Sequence, residues 1–353
     1  MTLKLIKNVR LYGEICDVAV EDGKIASIGK DLVGEGEDFG GAKIYPGLID
    51  VHSHGAVGVD TMDCDLAPIA RYELESGITT WYPTTMTMSE EDIVNATSQP
   101  LEIEGGANIP GFHMEGPFIN YNCKGAQNGE YVIPPSKTLW DKCKNLKMVT
   151  VAPEIDGAIE FIENCPAVVS IGHTEADYDT TCRAIDAGAT CLTHTFNVMP
   201  SIHHRAPGPI PAGADKGIYA QIICDGIHIH PSVVRMLIKL YGTDRVVFIS
   251  DSMRACGLRD GKYDLGGQIT IVKDGVARIE AGNLAGSTTN LFECVRRAIS
   301  FGSPEEDAVK MASETPAKLM GLNKGKIAVG YDADFIIVDD DFNLIRAIAR
   351  GEF

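Results

Sequence analysis

Two histidines, His52 and His54, stand two residues apart at the end of the apolar segment 49–55. In an extended strand such residues point to the same face, so the two imidazoles would lie side by side while Ser53 points away. Two imidazoles placed in this way can chelate one divalent metal ion. A pair of surface histidines after a strand is the simpler alternative, and only the rest of the chain can decide between the two.

Further apolar segments in the middle of the chain resemble this one, and several also end in His, Glu or Asp. The eight candidate strands are residues 49–55, 78–84, 109–115, 148–154, 168–173, 190–194, 219–225 and 246–251. They are apolar almost throughout, as parallel strands buried on both faces are. Helical patterns lie between them, such as 180–187 and 231–240, the latter with Pro in its first turn and Gly242 after its end.

This alternation predicts an α/β fold, a (β/α)8 TIM-like barrel. An open doubly wound sheet is the alternative, but its Gly-x-Gly-x-x-Gly loop after the first strand is missing from the sequence. Residues 263–280 break the barrel pattern. They alternate like a hairpin with a turn at 273–275, which predicts an insertion after the eighth strand.

The two ends of the chain have a different pattern. Short strands are predicted at 3–9, 15–21 and 24–28, with a turn at 21–23, and again at 325–330 and 333–339 around a turn. Two β-rich ends around a different middle predict one small β-sandwich domain formed from both. We therefore expect this domain over residues 1–47 plus 326–353 and the barrel over residues 48–325.

Composition and charge narrow the classes of function. The chain has 353 residues and a formal net charge of −18, which disfavours a nucleic-acid partner but not a small anionic substrate. No stretch fits a signal peptide or a membrane span, so no membrane partner is expected. The ten cysteines are scattered without a Cys-x-x-Cys pair, which indicates reduced thiols in a cytoplasmic protein.

The ends of five candidate strands carry residues that bind metals or transfer protons. They are His52, His54, Glu115, His173, His194 and Asp251. Each alone is more often a structural cap, but the carboxyl ends of all strands in a barrel converge on one mouth. Imidazole and carboxylate ligands together suit zinc or a similar borderline metal. The set therefore predicts a metal centre at the mouth of the barrel.

The motifs extend this prediction through a family resemblance. Pro-Gly-Leu-Ile-Asp-Val-His-Ser-His-Gly at 46–55 resembles the opening barrel motif of the amidohydrolase superfamily. Narrower motifs are similar to those of the family that deacetylates N-acetylglucosamine-6-phosphate. They are His-Met-Glu-Gly-Pro-Phe at 113–118, Gly-His-Thr at 172–174, Asn-x-Met-Pro at 197–200, Asp-Gly-Ile-His at 225–228, Ser-Asp-Ser-Met-Arg at 250–254 and Leu-Ala-Gly-Ser at 284–287.

The resemblance implies hydrolysis of N-acetylglucosamine-6-phosphate to glucosamine-6-phosphate and acetate by a metal-activated water, in amino-sugar catabolism. It implies Glu115, His173 and His194 as the main metal ligands, and His52 and His54 as ligands of a second metal that only some members hold. One or two divalent ions per chain are therefore expected, with zinc as the first choice and iron, manganese or cobalt as alternatives. Asp251 would be the acid and base.

The resemblance also implies a sugar-phosphate pocket and a homodimer in which the loop of Arg205 reaches a neighbour's active site. The implied substrate-binding residues are Ala126, Gln127, Asn197, Val198, Arg205, His228, Leu284, Ala285 and Gly286. Family members often have a His, thought to polarise the scissile carbonyl, where this chain has Gln127. A Gln amide donates a hydrogen bond but supplies no positive charge, which leaves more of the polarisation to the metal.

Two alternative functions stay open at this point. The first is another amidohydrolase that acts on a cyclic amide or an aminated base. Many such members use a carbamylated lysine on strand four, whereas candidate strand 148–154 has no lysine at its carboxyl end. The second is a non-catalytic barrel kept for assembly, which predicts that expected ligands have been lost. Every expected ligand is present.

Overall fold

A computed structural model describes residues 4–352, and its largest unit is the predicted barrel. Eight parallel strands follow one another around it in chain order. They are Leu48–Ser53, Ile78–Thr85, Phe112–Glu115, Leu146–Val151, Val168–Ile171, Cys191–Leu192, Tyr219–Ile223 and Val246–Ile249. The eighth strand returns to the first, where the Asp251 backbone N–H donates to the His52 carbonyl at 2.8 Å. The predicted fold class is confirmed.

Helices connect the barrel strands and follow the last one. They are Leu66–Glu75, Glu90–Ala96, Lys137–Lys142, Ala158–Asn164, Tyr178–Asp186, Pro209–Lys216, Pro231–Tyr241, Leu291–Ser300, Glu305–Ala312 and Glu314–Met320. Short 3-10 helices lie at Thr61–Asp63, Tyr121–Cys123 and Gly129–Tyr131. Both predicted helices are present, and Gly242 caps the second. Their buried faces join the strands in one apolar core that contains Trp81 and Phe248.

The small β domain is built from both chain ends, as predicted, and its strands form one seven-stranded sheet. The strands are Lys4–Leu11, Glu14–Glu21, Lys24–Gly29, Gly36–Asp38, Lys43–Pro46, Phe335–Val338 and Leu344–Ile348. Strands of both ends enclose a separate apolar core that includes Val18, Ile44 and Phe335. Residue 3, where the first strand was predicted to begin, lies outside the described residues. The exact domain boundaries stay a prediction.

The prediction of a strand at residues 325–330 is wrong. This segment consists of bends and a turn, and the sheet strand paired with Phe335–Val338 is instead Leu344–Ile348. The physical reason lies at Gly325, which has a φ of +80°. A Cβ added there would lie 2.6 Å from the Ser313 carbonyl oxygen, so the chain passes against a helix at this point and has no room for a strand.

The insertion after the eighth strand contains one strand more than the hairpin predicted for 263–280. Its antiparallel strands are Gly261–Leu265, Gln268–Lys273 and Val276–Ile279. The predicted turn at 273–275 joins the last two strands, while the additional turn at 266–267 was missed. A separate two-strand hairpin, Gly55–Ala56 with Val59–Asp60, follows the first barrel strand. Within residues 4–352, we find no helix long and apolar enough to cross a membrane.

Candidate metal centre and active site

The carboxylate of Glu115 lies at the centre of a buried cluster at the barrel mouth. Glu115 is the last residue of the third strand and is 2% exposed. Four imidazole Nε2 atoms surround its two oxygens. The distances are 3.2 Å from His52 to Oε1, 3.3 Å from His173 to Oε1, 3.1 Å from His194 to Oε1 and 3.2 Å from His54 to Oε2. One carboxylate therefore contacts all four histidines that the sequence predicted as metal ligands.

Hydrogen bonds at the Nδ1 atoms orient three of these rings. His54 Nδ1 faces the Thr84 carbonyl at 3.2 Å, and His173 Nδ1 faces the Cys123 carbonyl at 2.8 Å. His52 Nδ1 faces Gln221 Oε1 at 3.1 Å. A carbonyl or amide oxygen accepts only, so each Nδ1 carries a hydrogen, and each ring that gives up its other proton to bind a metal offers the lone pair of Nε2. These contacts aim three Nε2 lone pairs at the centre, as supporting partners of metal ligands do.

Three residues of the cluster have unusual backbone conformations. His173, His194 and Asp251 have φ angles of +49°, +25° and +47°. Positive φ is uncommon for residues other than glycine and costs free energy, which the surrounding structure must offset. Each of the three lies two residues beyond the last residue of a barrel strand. The turned backbone brings their side chains toward the barrel axis, a feature that the sequence pattern did not reveal.

Asp251 lies beside two of the histidines that also contact Glu115. Its Oδ1 is 3.4 Å from His54 Nε2 and 3.6 Å from His52 Nε2. Burial alone would raise the pKa of Asp251, but the charge of His52 and the hydrogen bond from His54 outweigh burial and lower this pKa to about 2. Burial likewise opposes ionisation of Glu115, and the neighbouring His52 and His173 hold its pKa well below the usual range. Both carboxylates are therefore ionised.

The cluster fits a divalent metal. Ligand atoms of His52, His54 and Glu115 form one compact group, and those of Glu115, His173 and His194 form another, with all atoms of each group within 4.8 Å of one another. His52 Nε2 is buried and has no hydrogen-bond partner among residues 4–352. The Nε2 atoms of His173 and His194 lie only 3.1 Å apart. Such convergence of nitrogen lone pairs and a carboxylate is typical of zinc-type sites.

A cavity of about 410 Å³ opens above the cluster, a volume suited to a small ligand. Nearly all of the predicted substrate-binding residues line it. They are Ala126, Gln127, Asn197, Val198, His228, Leu284, Ala285 and Gly286. The exception is Arg205, which is exposed and lines a separate surface depression beside Pro200. Within its own chain, Arg205 therefore does not reach the cavity.

His228 is a largely buried cation in the wall of this cavity. Its Nδ1 donates to Asp225 Oδ2 at 2.7 Å, and its Nε2 faces the Ala285 carbonyl at 3.0 Å. Both partners only accept hydrogen bonds, so both ring nitrogens carry a hydrogen. Burial alone would lower the pKa of His228, but the hydrogen bond and charge of Asp225 raise it overall. The cavity thus contains a positive charge that could face an anionic group.

Five further residues line the cavity that the sequence did not indicate. They are Met86, Asn122, Gly125, Leu265 and Asn283. Asn283 is adjacent to the Leu-Ala-Gly-Ser motif, and Gly125 is adjacent to the predicted Ala126, so proximity in sequence could have suggested both. Leu265 belongs to the insertion and Met86 to the loop after the second strand. Only the folded arrangement brings these two side chains to the cavity.

Comparisons with known proteins agree with this geometry. Residues 44–353 match the Amidohydrolase family. The chain is 36% identical to the N-acetylglucosamine-6-phosphate deacetylase of Bacillus subtilis (strain 168), over 95% of this chain and 91% of that protein. It is 32% identical to the N-acetylgalactosamine-6-phosphate deacetylase of Escherichia coli O157:H7, over 88% of this chain and 87% of that protein.

A solved structure of an amino-sugar phosphate deacetylase is also similar to this chain. A mutant N-acetyl-D-glucosamine-6-phosphate deacetylase from Mycobacterium smegmatis, in complex with N-acetyl-D-glucosamine-6-phosphate, matches with a TM-score of 0.91 and 30% identity, over 99% of this chain and 98% of that chain. The barrel and its histidine–carboxylate cluster define a metal-dependent hydrolase. More narrowly, the chain belongs to the amidohydrolase family.

Proposed function

We propose that this protein hydrolyses N-acetylglucosamine-6-phosphate to glucosamine-6-phosphate and acetate. The observation that carries the proposal is the cavity, which contains the metal-type cluster, the Asp251 carboxylate and the His228 cation together. The relatives named above deacetylate N-acetylated amino-sugar phosphates, and the chain covers nearly their whole length. A small amino-sugar phosphate fits both the size of the cavity and its charges. We place this reaction in amino-sugar catabolism.

Two ligand groups share Glu115 in this proposal. Glu115, His173 and His194 would hold one divalent ion, and Glu115 with His52 and His54 would hold a second. A divalent metal bound there supplies Lewis acidity, which makes water more acidic and an amide carbonyl more electrophilic. Zinc is our first choice because imidazole and carboxylate ligands suit it, and iron, manganese or cobalt are alternatives.

Asp251 would transfer the proton that amide hydrolysis requires. Its carboxylate is ionised and lies beside the centre, so Oδ1 can accept a proton from the attacking water. The leaving amine must then be protonated, and Asp251 can return the proton to its nitrogen. Its position at the carboxyl end of the eighth barrel strand, two residues beyond Ile249, is one where catalytic residues of this fold are found. The alternative, a purely structural Asp cap, would leave the reaction without this proton carrier.

The sugar and phosphate would lie against the other walls of the cavity. We assign the attraction of the phosphate to the charge of His228, which acts through space because both of its N–H groups already donate to Asp225 and the Ala285 carbonyl. Asn197, the Val198 backbone and residues 284–286 would contact the sugar. Ala126 and Gln127 line the cavity from the loop after the third strand and would lie near the acetamide group.

Arg205 requires a second copy of the chain to take part. Its guanidinium contacts His204 Nε2 at 2.6 Å on an exposed loop, away from its own cavity. We propose a homodimer in which the Arg205 loop of each subunit reaches the phosphate in the cavity of the other. This arrangement would give the phosphate a second cation, because a planar guanidinium suits phosphate oxygens.

The decisive experiment measures acetate release by the metal-loaded protein. N-acetylglucosamine-6-phosphate would be compared with unphosphorylated N-acetylglucosamine and with N-acetylgalactosamine-6-phosphate. We expect the first to have the highest kcat/KM and the unphosphorylated sugar to be much poorer. Equal rates with and without the phosphate would contradict the assigned phosphate contacts. No acetate release from any of the three would overturn the proposed function.

A further inference from the structure

Gln127 is a buried side chain whose amide is hydrogen-bonded at both ends. It is 3% exposed and belongs to the loop after the third barrel strand. Its Oε1 accepts a hydrogen bond of 2.7 Å from the Thr87 backbone N–H. Its Nε2 donates to Glu115 Oε2 at 2.6 Å. The side chain therefore connects the loop after the second strand to the carboxylate at the centre of the metal-type cluster.

The direction of this amide follows from its partners. A backbone N–H only donates, so the atom that faces Thr87 must be the amide oxygen. The NH2 group then faces Glu115, whose ionised carboxylate only accepts. The reversed orientation would place two donors together at Thr87 and two acceptors together at Glu115, and both hydrogen bonds would be lost. One orientation of Gln127 is therefore strongly preferred.

The partners of Gln127 have little freedom to move. A Cβ added at Gly116 would lie 1.9 Å from Thr87 Oγ1, so the loops after the second and third strands are in close contact there. The loop of Gln127 is held at two further points. The Gln127 backbone N–H donates to the Lys124 carbonyl at 2.8 Å, and Gln268 of the insertion donates to the Ala126 carbonyl. The amide is thus a fixed donor.

The two oxygens of Glu115 have different neighbours. Oε1 faces the Nε2 atoms of His52, His173 and His194, whereas Oε2 faces His54 Nε2 and the Gln127 amide. Rotation of the carboxylate about its last bond would break the hydrogen bond from Gln127. That hydrogen bond therefore favours the one orientation in which Oε2 faces His54 and Oε1 faces the other three histidines.

We infer that Gln127 is a positioning residue that holds the Glu115 carboxylate between the two groups of histidines and thereby strengthens metal binding. The inference rests on the proposed metal centre and assigns to Gln127 a role that acts through Glu115 rather than on the substrate. A neutral amide suits this role, because a cationic donor at the same place would repel a divalent ion. Supporting partners of metal ligands commonly contribute about 10- to 100-fold in affinity or activity.

Gln127→Met tests the inference, because methionine has a similar length and no hydrogen-bonding amide. The zinc dissociation constant of the full chain would be measured by competition with a chromophoric chelator, without any substrate. We expect zinc to bind about 10- to 100-fold more weakly than to the wild type. Gln127→Asn keeps the amide but is one methylene shorter and reaches only one of the two partners, so it should also bind zinc more weakly.

Gln268→Met is the matched control, since it removes the hydrogen bond to Ala126 in the same loop and leaves the Gln127 amide intact. We expect it to weaken zinc binding much less than Gln127→Met. Equal weakening by both variants would mean that the position of the loop matters rather than the amide, and it would overturn the inference. Thermal unfolding of the chelated proteins would show that each variant is folded.

The remaining outcomes are also decisive. If Gln127→Met and Gln127→Asn bind zinc as tightly as the wild type, Gln127 does not position Glu115. A lower kcat in these variants would then mean that Gln127 acts on the substrate instead. The binding assay does not depend on which amide is hydrolysed. Wild-type protein that binds zinc but releases no acetate would therefore remove the proposed function and leave this inference standing.

Discussion

Asp225 Oδ2 accepts a 2.7 Å hydrogen bond from His228 Nδ1, and this contact keeps a positive charge buried in the wall of the cavity. The pKa of Asp225 is lowered, because the hydrogen bond and charge of His228 outweigh the effect of burial. The two residues thus stabilise each other's charged form. Asp225 follows the seventh barrel strand, Tyr219–Ile223, and His228 follows three residues later.

The first prediction concerns the effect of pH on this pair. His228 is charged below its pKa, which is raised above the ordinary 6.5, so affinity for the phosphate should be full at low pH and fall as the pH rises through that raised pKa. Asp225→Asn removes the carboxylate that raises the pKa. In the variant, KM for N-acetylglucosamine-6-phosphate should begin to rise at a lower pH. At pH 8 it should be about tenfold higher than KM of the wild type.

The measurement is KM against pH for the wild type and the variant. The phosphate of the substrate has its own pKa near 6, but this affects both proteins alike and cancels in the ratio of their KM values. The unphosphorylated sugar is the control, and its KM ratio should stay constant. A KM ratio for the phosphorylated substrate that does not change with pH would mean that the charge of His228 does not contribute to binding.

The second prediction separates the two ligand groups at Glu115. The double variant His52→Ala with His54→Ala should lose only the second metal, whereas His173→Ala should lose the first, because each change removes ligands from one group. Metal content per chain would be measured by mass spectrometry after dialysis. Chelation of the wild type should abolish acetate release. Loss of all metal from either variant, or full turnover after exhaustive removal of metal, would contradict the prediction.

The third prediction assigns proton transfer to Asp251. Asp251→Asn keeps the shape of the side chain but cannot accept and return a proton. General acid–base catalysis contributes about 10²- to 10⁴-fold, so kcat should fall by at least about a hundredfold. KM and metal content should change little, because Glu115, His173 and His194 remain. A variant that keeps its metal and more than about a tenth of the wild-type kcat would assign the proton to another residue.

The fourth prediction tests Arg205 and the proposed dimer. Arg205→Ala should raise KM for the phosphorylated substrate by about 10- to 150-fold, the equivalent of one charge-assisted hydrogen bond. KM for N-acetylglucosamine should hardly change. If both KM values rise alike, the role of Arg205 is structural.

The dimer itself can be tested by mixing two impaired variants of the chain. Heterodimers of Arg205→Ala chains with Asp251→Asn chains should regain activity, because one of the two cavities then combines an intact Asp251 with an intact Arg205 from the other subunit. Size-exclusion chromatography of differently tagged chains would verify that heterodimers form. Heterodimers without regained activity would place each Arg205 loop at the cavity of its own subunit.

The fifth prediction concerns stability where the chain ends meet the barrel. Lys324 is 7% exposed and its ammonium contacts the buried carboxylate of Asp334, while Asp332 lies 3.5 Å away. Lys324→Met leaves the Asp334 charge buried without its partner, which should lower the free energy of unfolding by about 3–5 kcal/mol. Lys137→Met, which removes an exposed pair with Asp141, is the control and should have little effect. Denaturant unfolding would measure both, and equal effects would contradict the prediction.

Much of the barrel was predictable from the sequence because its signals are local. A parallel strand buried on both faces must be apolar along its length, so the eight strands were visible as apolar segments. The alternation of side chains along a strand likewise placed His52 and His54 on one face before any tertiary contact was known. The convergence of strand ends in a barrel then indicated that Glu115, His173, His194 and Asp251 would lie together.

Only the tertiary structure decided which atoms meet. Three features depend on loops that are far apart in sequence. Glu115 contacts four imidazoles, and the amide of Gln127 lies between Thr87 and Glu115. Arg205 lies outside the cavity of its own chain. The paths of these loops follow from packing and hydrogen bonds among distant segments, which leave no periodic pattern in the chain. The third strand of the insertion and the bends at 325–330 escaped prediction for the same reason, since glycine turns and close backbone contacts determined them.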